Sequence, residues 1–341
     1  MQNMTWKVII LYFAWKISML LDEQQQRIFV TGGAGFVGSN LVDRLIEKHQ
    51  VVVYDNFSNS DGSNLESVKL HHNFSLSEGN ILDPPKLQEA MQNCDLVVHL
   101  AANADVRFGT LNPGKDLHNN TTGTFNVLEA MRANNIKRIV FASTGSVYGD
   151  AQIIPTPEDH PFPIQTSLYG ASKAAGEGLI QAYCAGYGFQ AWIFRFVSML
   201  GERYSHGHVL DFCRSLNKNP HELRVLGDGR QKKSYIYVQD SINAIFCAID
   251  KAEEQINIFN IGTNEYCEVF DSIAWINEGL KVNPKLVTAG GDRGWVGDSP
   301  FIYLDTSKIQ ALGWQPQYSI KEAILRTVSY LQDHDQQLSV V

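Results

Sequence analysis

No Cys-x-x-Cys pair occurs in this sequence, and its five cysteines stand singly at 94, 184, 213, 247 and 267. Single cysteines suit buried, reduced thiols in a cytoplasmic protein rather than a disulfide framework. His71-His72 and His206–His208 have no Cys or acidic partner at metal spacing, so no metal is expected. There is no repeat, no low-complexity tract and no long run of one charge. Excess positive charge is absent too: the net charge of −8 argues against a general nucleic-acid binder. A clean membrane span is also missing. Residues 5–21 are largely apolar, but Lys7 and Lys16 interrupt them. A spanning helix wants about 20 mostly apolar residues, and a Lys near its centre is costly. Leu20-Leu21-Asp22 is not a small-residue cleavage site. Three readings of residues 1–26 stay open: a membrane-surface helix, an extra packing helix, or an upstream start that is little used, with Met19 as the working start. The last is favoured, and this N-terminal extension is kept out of the fold argument.

What is present is material for a large core: 341 residues, 44% hydrophobic and 19% charged. The chain is organised around residues 27–41. Arg27 to Thr31 carries β-formers and reads as a short buried strand. Gly32, Gly35 and Gly38 follow, and then a helical pattern through Leu41, Val42, Leu45 and Ile46. Strand, glycine turn and helix form a dinucleotide-binding fingerprint. The glycines permit the tight turn, the approach of backbone to a pyrophosphate and close helix–strand packing. The helix N-terminus offers free N–H groups to the phosphates. The next strand, from Gln50, ends in Asp55, about 20 residues on, where an acid takes the ribose hydroxyls of NAD and repels the extra phosphate of NADP.

Further strands are expected over 73–79, 95–100, 137–143 and 190–195, and helices from Asp83-Pro84, over 116–134 and from Tyr169 to about Tyr187. This alternation implies right-handed crossovers. The fold expected is α/β: a doubly wound parallel Rossmann sheet over 27–195 with a smaller C-terminal substrate-binding domain over 196–341, of which about 236–262 returns to the first domain. Such sheets bind ligands beyond the carboxyl ends of their strands, where Asp55, Ala101, Ser143 and Thr144 fall. Tyr169 and Lys173, at i and i+4, share one helical face.

With the three glycines, Asp55, Tyr148-Gly149 and the Tyr-x-x-x-Lys of Tyr169 and Lys173 in place, the chain resembles the extended short-chain dehydrogenase/reductase family. More narrowly it resembles the NAD-dependent nucleotide-sugar epimerases and dehydratases, closest to UDP-glucose 4-epimerase and its relatives, over about residues 27–335. Asn119-Asn120 with Gly123-Thr124 matches that group's Asn-Asn-x-x-Gly-Thr, and Phe141 to Gly149 matches the strand that supplies the catalytic hydroxyl.

The resemblance implies NAD as cofactor, with Gly32, Gly35, Phe36, Val37, Gly38, Asp55, Asn56, Asn80, Ile81, Leu100, Ala101, Ala102, Asn120, Ser143, Tyr169 and Lys173 around it. It implies Thr144, Tyr169 and Lys173 as the catalytic set, Ser143 being the fallback hydroxyl. Tyr169 would take a sugar hydroxyl proton as hydride leaves for NAD; a free phenol titrates at about 10, so Lys173 and the nicotinamide are expected to lower it. Arg107, Ser198, Arg230, Lys233 and Arg293 are the substrate candidates, a nucleotide diphosphate needing cations. Lys233 stands where Arg is common, Ser198 where Asn is usual, and Asn80 where an Asp often reads the adenine amine. Similar 4,6-dehydratases carry Asp-Glu directly after the catalytic Thr; here Gly145-Ser146 occupy those places, which favours epimerisation. A 4-epimerase acting on UDP-glucose/UDP-galactose or N-acetyl forms is the leading expectation. A dehydratase or another epimerase is the second, and a non-catalytic NAD-binding scaffold the third. A homodimer through the 116–134 and 169–187 helices is expected from relatives.

Overall fold

The computed structural model describes residues 24–104, 111–161, 163–294, 298–299 and 301–334. The apolar N-terminal stretch, Arg107 and Trp295 lie outside the described residues. Seven strands form one sheet: β1 (Arg27–Thr31), β2 (Gln50–Asp55), β3 (Phe74–Glu78), β4 (Leu96–His99), β5 (Arg138–Thr144), β6 (Gln190–Phe196) and β7 (Ile256–Ile261). Their order is β7-β6-β5-β4-β1-β2-β3, and every neighbouring pair is parallel. β1 pairs with β2 on one side and β4 on the other. The winding therefore reverses at β1, and reversal opens a crevice beyond its carboxyl end.

Side chains alternate across the sheet, and both faces are covered. Ile28, Val30, Val51 and Val53 join the core of one face with Leu41 and Leu45 of α1 (Phe36–Leu45). Phe29, Val52, Tyr54 and Val97 join the other, with Leu87 of α2 (Pro84–Ala90), Leu128 and Met131 of α3 (Gly123–Ala133) and Ile180 of α4 (Leu168–Tyr187). Local chemistry sets the helix ends. Asp83 caps α2 by accepting the Lys86 N–H, with proline in the first turn. Ser167 caps α4 through the Gly170 N–H, and Gly188 ends it in the left-handed region at φ 68°.

β7 lies beside β6 in register from Ala191↔Ile256 to Phe196↔Ile261, so the chain after α5 (His208–Lys218) and α6 (Val238–Lys251) rejoins the sheet edge. Short strands lie outside the sheet: Ser198–Leu200 pairs with Tyr235–Tyr237, and Lys232–Lys233 lies between Cys267–Glu268 and Phe301–Ile302. Helices α7 (Val269–Leu280) and α8 (Ile320–Asp333) pack on each other and on α5. One element departs from expectation. The helix read over 116–134 starts at Pro113 and widens into a π-turn over Leu117–Thr122 before α3. The turn carries Asn120 into the interior, where it is buried.

Substitution at two glycines separates close packing from helix propensity. A Cβ at Gly38 would stand 2.2 Å from the Gly32 carbonyl oxygen, whereas one at Gly178 meets nothing within 4 Å. Urea unfolding is expected to show Gly38→Ala destabilised by about 1–3 kcal/mol and Gly178→Ala stabilised by about 0.5–1 kcal/mol.

Candidate active site

The crevice is built from its glycine turn. Gly32 is left-handed, and a Cβ there would meet the Ala101 backbone nitrogen at 2.7 Å, so the loop seats directly against the end of β4. Gly35 caps α1 with no side chain, leaving the first-turn N–H groups for an anion. Asp55 closes β2; one carboxylate oxygen accepts the Ala34 N–H and the other the Phe57 N–H, both at 2.9 Å. Leu100 and Ala101 donate their N–H groups to the Thr31 hydroxyl oxygen, and Ala102 follows them. Other side chains in this set serve local structure. Phe36 is buried edge-on to Tyr204, and the half-buried Val37 packs on the same core. Asn56 accepts the Ser58 N–H. Asn80 accepts the Leu82 N–H, and the buried Ile81 accepts Asn126 on its carbonyl.

Thr144 ends β5 and donates its hydroxyl to Ser146 Oγ at 3.3 Å; Tyr169 stands on the first turn of α4, near enough for the Thr144 hydroxyl to favour its ionised form. The Ser146 N–H also donates to Thr144 Oγ1, at 3.1 Å. Burial pushes the Tyr169 phenol up to about 12; the Thr144 hydroxyl opposes this and the charge of Asp116 adds to it. Lys173 is buried, donates to the Ala142 carbonyl at 2.8 Å and stands 4.7 Å from the centre of the Phe141 ring. Burial pulls its ammonium down to about 8, against the charge of Glu177. The expected lowering of the phenol is the joint effect of Lys173 and the nicotinamide; in the protein itself burial sets the phenol, and the ammonium is held on a backbone carbonyl. Ser143, the fallback hydroxyl, is engaged elsewhere. Its hydroxyl donates to Glu177 Oε1 at 2.5 Å, so it serves α4 and not the phenol. Successive strand residues point to opposite faces, which separates it from Thr144.

Two of the substrate candidates meet. Lys233 Nζ pairs with Asp298 Oδ1 at 2.8 Å and donates to the Ser299 carbonyl. Arg293 pairs with Asp150 at 2.7 Å and donates to the Asp298 carbonyl at 2.5 Å. Neither cation stands as a bare charge; each carries an aspartate. Arg230 is exposed on the turn after Gly227, whose own Cβ position lies 3.1 Å from the Arg293 carbonyl oxygen. Ser198 is exposed at the start of Ser198–Leu200.

Comparison with known proteins decides the family. The model of the NAD dependent epimerase/dehydratase family matches residues 28–262. The chain belongs to that family. A putative UDP-glucose 4-epimerase of Methanocaldococcus jannaschii is 33% identical over 317 residues, 90% of this chain and 99% of that protein. A crystal structure of a UDP-galactose 4-epimerase is 35% identical, with a TM-score of 0.81 over 90% of this chain and 99% of the other. The UDP-glucuronic acid 4-epimerase of Bacillus cereus, crystallised with UDP-glucuronic acid and NAD, is 26% identical with a TM-score of 0.83 over 90% and 99%. Curated relatives also include a UDP-glucuronic acid decarboxylase of Xenopus tropicalis, 28% identical over 92% of this chain and 74% of that one.

This member of the epimerase/dehydratase family is an NAD-dependent enzyme, and its crevice fits the cofactor. The Gly32 turn has no side chain where a pyrophosphate would approach. Asp55 spends one acceptor site per oxygen on backbone, and a carboxylate has about four.

Sequence reasoning passed over the network that holds α4, which carries Tyr169 and Lys173, in this family member. Glu177 is buried on α4 and takes Arg195 of β6 in a forked ion pair at 2.7–3.2 Å. Arg195 also donates to the Tyr148 hydroxyl at 2.7 Å, and Tyr148 donates to Asn260 at 2.8 Å. The signal was available: Tyr169, Lys173 and Glu177 recur every four residues along one helical row. Glu177→Ala strands a buried guanidinium, and chemical denaturation is expected to show a loss of about 3–5 kcal/mol. Unchanged stability would mean that water already reaches the pair.

Proposed function

We propose that this enzyme is a nucleotide-sugar 4-epimerase acting on UDP-glucose/UDP-galactose or their N-acetyl forms. The observation that carries the reading is the placing of Thr144, at the carboxyl end of β5, beside Tyr169 on the first turn of α4, with Lys173 one turn further along that helix. The 4-epimerases among its relatives support the choice of substrate class. The position after Thr144 supports the choice of reaction. A Cβ at Gly145 would stand 3.4 Å from both Ile302 and Leu304, so a carboxyl there would face apolar side chains. Elimination of water by an acid at 145 has no support in such surroundings.

NAD, when bound, supplies removal and return of hydride at one sugar carbon. Tyr169 takes the proton of the C4 hydroxyl as that carbon becomes a ketone, and returns it after the hydride reaches the opposite face. Thr144 bonds the phenol and the same sugar oxygen, and so fixes the line of proton transfer. Lys173 brings positive charge to a phenolate that burial disfavours. Lys233 and Arg293 hold the diphosphate, which exchanges with Asp298 and Asp150 for their hydrogen bonds.

We also infer a cytoplasmic homodimer. All five cysteines are free and buried, and among the described residues no helix is long and apolar enough to cross a membrane. Leu117 on the π-turn, Phe125 on α3 and Tyr187 on α4 are 55%, 43% and 50% exposed, apolar surface available to a second copy.

Incubation with a panel of UDP-sugars, with products separated by NMR and mass, is expected to show interconversion at C4 with no change in mass. Loss of water or of carbon dioxide would overturn the epimerase reading. Tyr169→Phe is expected to lower kcat by about 10²–10⁴-fold. For assembly, light scattering is expected to find a dimer that Phe125→Glu converts to monomer; a monomeric native protein would refute the interface.

A further inference from the structure

Beneath the crevice lies a buried ring that the reaction itself does not use. His99 ends β4, directly before the Leu100–Ala101 wall, and its side chain is enclosed, as are those of Thr31, Thr124 and Asn120. His99 Nδ1 is 2.7 Å from Thr31 Oγ1, and His99 Nε2 is 3.0 Å from Thr124 Oγ1. The direction of each bond follows from counting protons. The single hydroxyl proton of Thr124 goes to the Asn120 carbonyl at 2.6 Å. Thr124 Oγ1 can then only accept from the ring, so the imidazole proton is on Nε2. Thr31 Oγ1 already accepts the Leu100 and Ala101 N–H groups, and its own proton is left for a bare Nδ1. Burial of the ring, and then the charge of Lys173, disfavours a second proton.

The chain of bonds continues past Asn120. Thr124 is held on the backbone carbonyl of Asn120; the side-chain amide of the same residue donates to Ser172 Oγ at 3.0 Å, and Ser172 Oγ donates to the Tyr169 carbonyl at 2.8 Å. One directed series thus runs from the Ala101 N–H through Thr31, His99, Thr124, Asn120 and Ser172 to the backbone of Tyr169. We propose that His99 is a positioning residue, a neutral imidazole with its proton on Nε2 that sets the distance between the cofactor wall at Ala101 and the phenol of Tyr169. Among the links, only His99 has two ring atoms facing opposite ways, so it spans β1 and α3 from a single place on β4. The proposal rests on Tyr169 as the proton-transfer group. Its tautomer is independent of which sugar is bound.

The test has two arms on the full-length protein. Long-range ¹H–¹⁵N NMR of histidine-labelled protein, with His99 assigned by its loss in His99→Phe, is expected to show a proton on Nε2 and a bare Nδ1 between about pH 6 and 8. A proton on Nδ1, or an imidazolium there, would overturn the proposal, whatever sugar the enzyme accepts. The second arm uses Thr124→Val, which keeps shape and removes the hydroxyl. It is expected to move the Ala101 and Tyr169 amide signals and to lower kcat by roughly tenfold or more with KM little changed. His99→Phe combined with Thr124→Val is expected to be no worse than the poorer single variant, since the two act in one chain. A fall in Tm alone, with kcat and both amide signals unmoved, would reduce His99 to a packing residue. If no UDP-sugar turns over, the function reading fails, while the NMR signals still decide the role of His99.

Discussion

The structure depends on a backbone contact. At Gly32 the turn leaving β1 lies so near the end of β4 that a single Cβ would sit 2.7 Å from the Ala101 nitrogen. That approach is available only to glycine in a left-handed conformation. It brings together two strands whose crossovers leave in opposite directions, and so makes the crevice. It also places the N-terminus of α1, the small residues after β4 and the carboxylate of Asp55 around one opening. The NAD site is a consequence of how closely two chain segments can pass.

Electrostatics at the other end of the crevice are governed by burial. A phenol moved from 10.0 to about 12 resists ionisation by about 3 kcal/mol. An ammonium pulled down to about 8 has lost much of its hydration as well. The ammonium is held by a neutral partner, the Ala142 carbonyl, and the Thr144 hydroxyl is the group that opposes the rise of the phenol. The Glu177–Arg195 pair joins α4 to β6, so the helix that carries Tyr169 and Lys173 is fixed by a buried charge pair. Hydrogen bonds direct, and burial decides how readily each proton moves.

The substrate side is arranged differently. Lys233 and Arg293 come from segments that are 60 residues apart in number but meet at Asp298, each already paired with an acid. In the diphosphate-binding role proposed for them, cations held this way are positioned and charge-balanced in advance. Exchange of one set of oxygens for another then costs less than ordering two free side chains.

Much of this was legible in the linear order of residues, because the interactions concerned are local or periodic. Three glycines after a strand, an acid at the end of the next, a proline behind an aspartate cap and a Tyr-x-x-x-Lys on one helical face all act over a few residues. The family follows from these. Tertiary structure decided the rest, because each remaining feature joins residues far apart in the chain. Ser143 faces Glu177 and not Tyr169, since a strand alternates its faces and α4 lies over one of them. The π-turn at Asn120 takes its meaning from Asn103 and Ser172, which it reaches only in the folded chain. Burial raises the phenol of Tyr169, because desolvation depends on everything packed around a group, and sequence spacing carries no measure of that.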